Sequence, residues 1–487
     1  MSEIAVSLPA QRSPRLTEDW SSVAIGLLVF VLALAGVAGV DLLGWAATTS
    51  VWIDPTQGLG AVSKTYANLG GAPALAATFL ALAATLSLAV WVTGGDAKRF
   101  ALAFTVVFAI AYASWFVGSY AHLAAVTPAD LSKFGISWSL KLTNEGGFIV
   151  ALLAGIIIAN FFPRFAEWLK EAIRPELYIK IAIVILGGFI AATAAGKLTL
   201  ASSVLLRGVA AIIEAYLIYW AVVYFVARKY FGFTREWAAP LASGISICGV
   251  AASISTGGAI RARPQVAVLV SSLVVIFAVV EVLFLPFLAQ TFLSHEPLVA
   301  AAWLGLAVKT DGAAIAAGGI TESLLLAQAA SEGVKYEAGW ILATTTTVKV
   351  FIDIFIGLWA FLLAYIWTNH INVEKGDKAK ISEIWERFPK FILGFILTFA
   401  VVLALALGGG LTQKLTPAIA EANTFRVIFF ILTFFSIGVL SDFRKLWEDG
   451  FGRLAAVYVV SLFGFIIWVG LAISWVFFAG VKPPLAG

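Results

Sequence analysis

The chain has few of the residues on which soluble enzymes depend. Charged residues make up only 12% of its 487 positions and hydrophobic ones 61%, with a mean hydropathy of +0.97, a balance that excludes an ordinary soluble globular protein. There is a single cysteine, Cys248, so no intrachain disulfide is expected and the redox compartment is left open. The three histidines, His122, His295 and His370, fall at the ends of apolar runs, which argues against a metal centre. No Gly-x-Ser-x-Gly elbow and no Gly-x-x-x-x-Gly-Lys phosphate loop occurs, so the chain does not read as an enzyme, an ATP-driven pump or the holder of a cofactor. The alternating ten-residue segments of a membrane β-barrel are missing. No small-residue cleavage site follows a short apolar core, so no removable signal peptide is expected.

What the chain does have is long apolar runs. Crossing the hydrocarbon core by helix takes about 20 apolar residues, and the sequence predicts an all-α polytopic membrane protein with about eleven spanning helices plus two broken or re-entrant ones. The spans are expected near 20–45, 71–92, 100–122, 147–162, 178–195, 202–226, 266–290, 338–367, 391–408, 424–440 and 454–479, with a polar piece at 321–337. Lys and Arg gather in the loops at 94–99, 163–177, 228–235, 369–390 and 441–453. They thereby place the N-terminal tail 1–19 and the linker 369–390 in the cytoplasm of a multi-pass inner-membrane protein. The net charge of +4 fits this topology rather than nucleic-acid binding. Seventeen tryptophans suit the two membrane interfaces.

Two stretches depart from plain membrane helix. Residues 243–253 carry Ser243, Gly244, Ser246, Cys248, Gly249 and Ser253, and residues 309–319 carry Lys309, Thr310, Asp311, Gly312, Gly318 and Gly319. Such residues weaken helix interiors and leave main-chain groups unpaired, which lipid tolerates only where the backbone lines a protein cavity. Broken helices are therefore expected at 237–260 and 300–320, and paired broken segments point to a transporter site. The basic turn at Arg261 and Arg263 favours a return of the first to its own side.

A weak internal similarity relates residues 178–226 to 424–479, predicting inverted repeats at 147–293 and 299–480, with three additional N-terminal spans at 20–123. Ionisable groups inside spans are costly and are functional candidates by default. They are Arg207, Glu214, Glu281, Lys309, Asp311, Lys349 and Asp353. Lys349 and Asp353, four apart, read either as a structural ion pair or as site residues. The broken-helix N-termini, Ser243, Ser246, Ser253 and the run Thr344–Thr347 offer donors to an anion, although threonines also bond their own helix backbone.

The stretch Ser246-Ile247-Cys248-Gly249-Val250-Ala251-Ala252 resembles the Ser-Ile-Cys-Gly-Ala-Ala-Ala signature of the bacterial family of the YeiH type, described as sulfate exporters. Asp311 through Gly319 is similar to its His-Glu-x-Ala-Gln-x-x-Ala-Ala-Gly stretch, with Thr310-Asp311 in place of His-Glu and Ala314 in place of Gln; Lys349 falls where the family tends to have arginine. The resemblance spans roughly 147–480 and implies a broken-helix transporter fold like those of sodium/proton antiporters and bile-acid carriers.

The expectation is a secondary active transporter exporting a small anion, sulfate or a sulfonate, by alternating access. Ser243, Ser246, Cys248, Gly249, Thr310, Asp311, Thr346 and Lys349 would hold the substrate. Glu281, Asp353 and Glu214 would couple a sodium ion or proton. The alternative is a sodium/proton-type cation exchanger using the carboxylates, and a channel or scaffold is a third class. Partners are the small anion, the bilayer and a second copy of the chain.

Overall fold

The computed structural model describes residues 17–486 apart from 126–127, 141–145, 196–197, 372–384, 386–388, 409–411 and 445–450. Most of the tail 1–19 and of the linker 369–390, the turn at Gly196-Lys197 and much of the 441–453 loop lie outside the described residues. Among the described residues, ten helices are long and apolar enough to cross a membrane, or eleven if one bent pair counts as a single span.

α1 (Glu18–Leu34) starts where the Thr17 hydroxyl accepts from Trp20 N and two acidic residues meet the positive helix end. The expected first span, 20–45, is too long. The apolar run continues as one turn of 3-10 helix to Ala38, and the chain then builds a two-stranded antiparallel hairpin, β1 (Ala47–Thr49) with β2 (Leu59–Ala61). Side chains of the next two helices clamp it: Thr78 Oγ1 accepts from Ala47 N at 2.8 Å, and Trp52 stacks on Phe116 with centroids 4.6 Å apart. Those helices are α2 (Gly71–Val92) and α3 (Ala97–Gly118). α4 (Gly146–Phe161) ends before Pro163 and turns by 119° into the short surface helix α5 (Pro163–Leu169).

α6 (Pro175–Ala195) and α7 (Leu198–Lys229) follow, and α7 widens to a π turn at Glu214–Tyr219. The first broken segment is α8 (Arg235–Ser246) and α9 (Gly249–Ala259). After α10 (Pro264–Leu293) comes the second, α11 (Pro297–Ala307) and α12 (Asp311–Ser331). Its expected end at 320 and the polar piece at 321–337 need correction. α12 runs helical to Ser331, because Thr321, Ser323 and Glu322 are packed inside the protein or bonded to main chain rather than placed in a loop. α13 (Trp340–Ile371), α14 (Phe391–Leu407), α15 (Thr412–Leu440) and α16 (Phe451–Phe478) complete the chain.

Both broken segments are hairpins that return to the face they left. In the first, Thr256 Oγ1 donates to Ser243 Oγ at 2.7 Å across the two arms, and at the base Arg263 N and Nε donate to Glu236 Oε1 at 2.8 and 3.0 Å. In the second, His295 before α11 lies 3.9 Å from Glu332 after α12. α8, α9 and α11, of 12, 11 and 11 residues, reach only about 16–18 Å at 1.5 Å per residue, roughly half the hydrocarbon thickness. Their tips therefore stop midway. By helix parity the first hairpin opens on the face where α1 begins and the second on the opposite face. The loop contacts agree: Lys180 with Asp19 and Arg453 with the Phe231 carbonyl on one face, Gly480 with Glu296 on the other.

This sidedness has a direct test. Cysteines at Thr234 and Ala262 are expected to react with an impermeant thiol reagent from one side of sealed vesicles, and cysteines at His295 and Lys335 from the other. Labelling of 234 and 262 from opposite sides would show a crossing segment instead.

The helices sort into two bundles. α1, α3, α4, α6, α14 and α15 pack on one another as a frame, with α4 along α15 and α6 along α14. Glycines permit the contact: a Cβ on Gly155 or on Gly438 would run into the facing helix's backbone. α7, both hairpins, α10, α13 and α16 form the second bundle, the core, in which α8 packs on α7 as α11 packs on α16. The two bundles touch sparsely, through α7, α10, α12 and α13 of the core and α6 and α15 of the frame.

Candidate transport site at the hairpin tips

The site begins with two backbone breaks. At the first tip Ile247 leaves helical geometry and Cys248 is extended (φ −141°, ψ 120°); at the second, Val308 and Thr310 are extended. A break leaves main-chain donors and acceptors without helical partners, and a membrane interior must satisfy them within the protein. Here each tip supplies the other. Gly249 N donates to Lys309 O at 2.6 Å, and Cys248 Sγ lies 3.1 Å from Asp311 Oδ1 as donor.

Charged side chains on α10 and α13 satisfy what remains. Lys349 Nζ donates to Ile247 O at 2.7 Å, at the negative C-terminal end of α8, and Lys309 N donates to Glu281 Oε2 at 3.1 Å. An ammonium thus answers an orphan carbonyl and a carboxylate answers an orphan N–H, each with the polarity the helix ends require. Glu281 is held by a second donor, Tyr458 OH, at 2.6 Å. Gly249 is indispensable for the close approach, because a Cβ there would lie 2.9 Å from Val274 Cβ and 3.2 Å from Thr310 Cγ2.

Around the tips sit Cys248, Asp311, Lys349 and Asp353, none more than 5% exposed. One ligand atom each from Cys248, Asp311 and Asp353 falls within 4.8 Å of the others. Lys349 Nζ lies 3.8 Å from Asp311 Oδ1, and Asp353 Oδ1 is buried without a hydrogen-bond partner among the described residues. Two carboxyls face one ammonium, so full ionisation would leave one unbalanced buried charge, which a proton or a monovalent cation would offset. A divalent ion would have to share this space with the Lys349 ammonium, which repels it.

A cavity of about 20 Å³ opens beside the second tip, between frame and core, lined by Glu176 and Ile179 of α6, Ala278 of α10, Thr310 and Gly312 at the tip, and Thr433 of α15. That is room for about one water. Thr310 caps α12 by accepting from Ala313 N at 3.2 Å.

The structure brings together Ser246, Cys248, Gly249, Thr310, Asp311, Lys349, Asp353 and Glu281, and the Ser246 hydroxyl is buried without a bond among the described residues. Ser243 lies one turn below the tip and is occupied in the hairpin, accepting from Trp220 Nε1 and Thr256. Thr346 and Thr344 donate to their own helix at Leu342 O and Trp340 O, and Thr345 donates to Ala301 O. Arg207 is far from the tips, bonded to Ser203 and to the Phe477 carbonyl. Lys309 points away from Asp311, over the ring of Tyr219 at 4.5 Å and near Glu214. Sequence reasoning missed Tyr458, Tyr219 and Glu176. The only signal for the two tyrosines was a phenol inside an otherwise apolar span, while Glu176 sits at a span end, where acids are common.

Residues 123–457 match the family described as conserved hypothetical protein 698. A UPF0324 membrane protein of Nitrosomonas europaea is 40% identical over 96% of this chain and 97% of its own length. An uncharacterized protein of Archaeoglobus fulgidus is 49% identical over 29% of this chain and 88% of its own. A UPF0324 membrane protein of Rhodopirellula baltica is 28% identical over 80% of this chain and 64% of its own. No solved structure matches. The chain is a multi-pass membrane protein and belongs to the conserved hypothetical protein 698 family, the UPF0324 membrane proteins, which is the YeiH-type family that its first broken segment resembles.

Proposed function

We propose that this protein is a secondary active transporter that moves a small anion, sulfate or a sulfonate, across the bacterial inner membrane by alternating access. One observation carries the reading: two hairpins entering from opposite faces meet tip to tip beside the buried Lys349. The helices α9 and α12 both begin at this point, so two positive helix ends and one ammonium converge where an anion would be held. The sparse seam between frame and core supports a movement of one against the other, and the small cavity beside Thr310 and Gly312 lies on that seam. The N-terminus would be cytoplasmic, because Arg99, Arg174, Arg228, Arg263 and Arg444 share its face.

The two halves are further proposed to be inverted repeats. α7 and α16 carry π turns at Glu214–Tyr219 and Leu462–Ile466, roughly 250 residues apart, and the two turns touch where Tyr219 OH donates to Ile466 O at 2.9 Å. A second functional reading, exchange of protons for a monovalent cation, is favoured by the excess of carboxyl over ammonium at Asp311 and Asp353.

Purified protein in liposomes separates the two. Saturable counterflow of labelled sulfate, lost by at least tenfold in Lys349→Ala, is the expected result. Sodium-driven proton movement with no anion flux would assign the exchanger instead.

A further inference from the structure

We propose that Glu214, Lys309 and Glu281 form a second proton site, separate from Asp311 and Asp353, in which Glu214 takes up and releases one proton in each transport cycle. The proposal rests on the transport reading and assigns part of its coupling.

Glu214 has a 0% exposed side chain. Both carboxylate oxygens are buried with no hydrogen-bond partner among the described residues. It opens the π turn of α7, a local widening frequently found at functional sites. Across from it, Gly470 of α16 leaves space, since a Cβ there would stand 3.6 Å from Glu214 Oε1 and 2.6 Å from Tyr219 OH.

Titratable groups from three elements meet around Lys309, whose charge acts on both Glu214 and Glu281. From the second tip comes the Lys309 ammonium, which donates to the Leu306 carbonyl and lies over the Tyr219 ring. From α10 comes Glu281, fixed by Tyr458 OH of α16 and by Lys309 N. From its own helix comes Tyr219, whose hydroxyl is committed to Ile466 O. Lys349 acts on both Lys309 and Glu281 from the first site. Lys309 and Asp311 are two residues apart, yet their side chains serve different clusters.

The same imbalance therefore arises twice, with two carboxyls against one ammonium. Glu281 is held by two donors, whereas the Tyr219 hydroxyl beside Glu214 is given to Ile466 O, so the missing positive charge belongs on Glu214. A metal cation requires several oxygen ligands, and the surroundings of Glu214 offer an aromatic ring, a glycine and a competing ammonium. A proton needs none of these. On release, the Glu214 O–H bond breaks, the proton passes to water, and the carboxylate left behind shares the Lys309 ammonium with Glu281, which leaves the cluster one negative charge in excess until the proton returns.

Two measurements test the site with Glu214→Gln. Infrared difference spectra of the purified protein across a pH titration are expected to show a protonated-carboxyl band in the parent that the variant lacks and Asp311→Asn retains. In liposomes, the reversal potential of sulfate flux is expected to report one proton fewer per sulfate in Glu214→Gln than in the parent. An unchanged carboxyl band in Glu214→Gln overturns the proposal even if no sulfate moves, because the band does not depend on transport. So does an unchanged proton ratio. Monodisperse elution and a melting temperature equal to the parent's establish that the variant is folded.

Discussion

Lys349→Met is expected to destabilise the protein by about 3–5 kcal/mol, because it removes the single ammonium that Asp311 and Asp353 face and leaves buried carboxyls without compensation. The lysine also satisfies the Ile247 carbonyl at 2.7 Å, so the first tip loses an acceptor's partner in the same change. The effect can be largely compensated. Adding Asp353→Asn to Lys349→Met removes a charge from the same pocket and is expected to recover most of the loss, while transport stays abolished because the anion's cation is gone. Unfolding in mixed micelles at neutral pH measures both variants. If the double variant is no more stable than the single one, the charge balance drawn for this cluster is wrong.

The second large effect is steric. Gly249→Ala places a methyl group against Val274, a buried β-branched side chain with little rotamer freedom. The tip cannot move aside without giving up the 2.6 Å bond from Gly249 N to Lys309 O. Overpacking of this kind costs about 1–3 kcal/mol, and here the strain falls on the contact that joins the two hairpins. Transport is expected to fall at least tenfold. Val274→Ala in the same protein clears the space and is expected to restore a large part of both stability and flux. Failure of that rescue would locate the defect elsewhere than in the tip contact.

The course of the chain was legible because a bilayer permits few alternatives. A run of apolar residues long enough to cross must be helix, and the glycine and serine clusters at 243–253 and 309–319 marked both breaks. That both breaks are hairpins was legible only in part. Arg261 and Arg263 hinted at a return, but the clasp from Arg263 to Glu236 joins residues 27 apart, and nothing in local composition states that pairing. The site was legible as a set of ionisable residues and illegible as a geometry. Lys309 and Asp311 are neighbours in sequence, yet one turns to Tyr219 and Glu214 and the other to Cys248 and Lys349, because the intervening backbone is extended. The threonine run offered hydroxyls that Trp340 O, Ala301 O and Leu342 O take up. The β-hairpin at 47–61 carried no signal, since three-residue strands in an apolar setting resemble the end of a span.

That hairpin is riveted to α2 and α3 by Thr78, Tyr112 and Trp52, and α3 belongs to the frame. An antibody fragment raised against it would add mass and a recognisable shape for electron-microscopy imaging while leaving the hairpin tips free. It would serve as a fixed landmark from which any displacement of the other bundle is read.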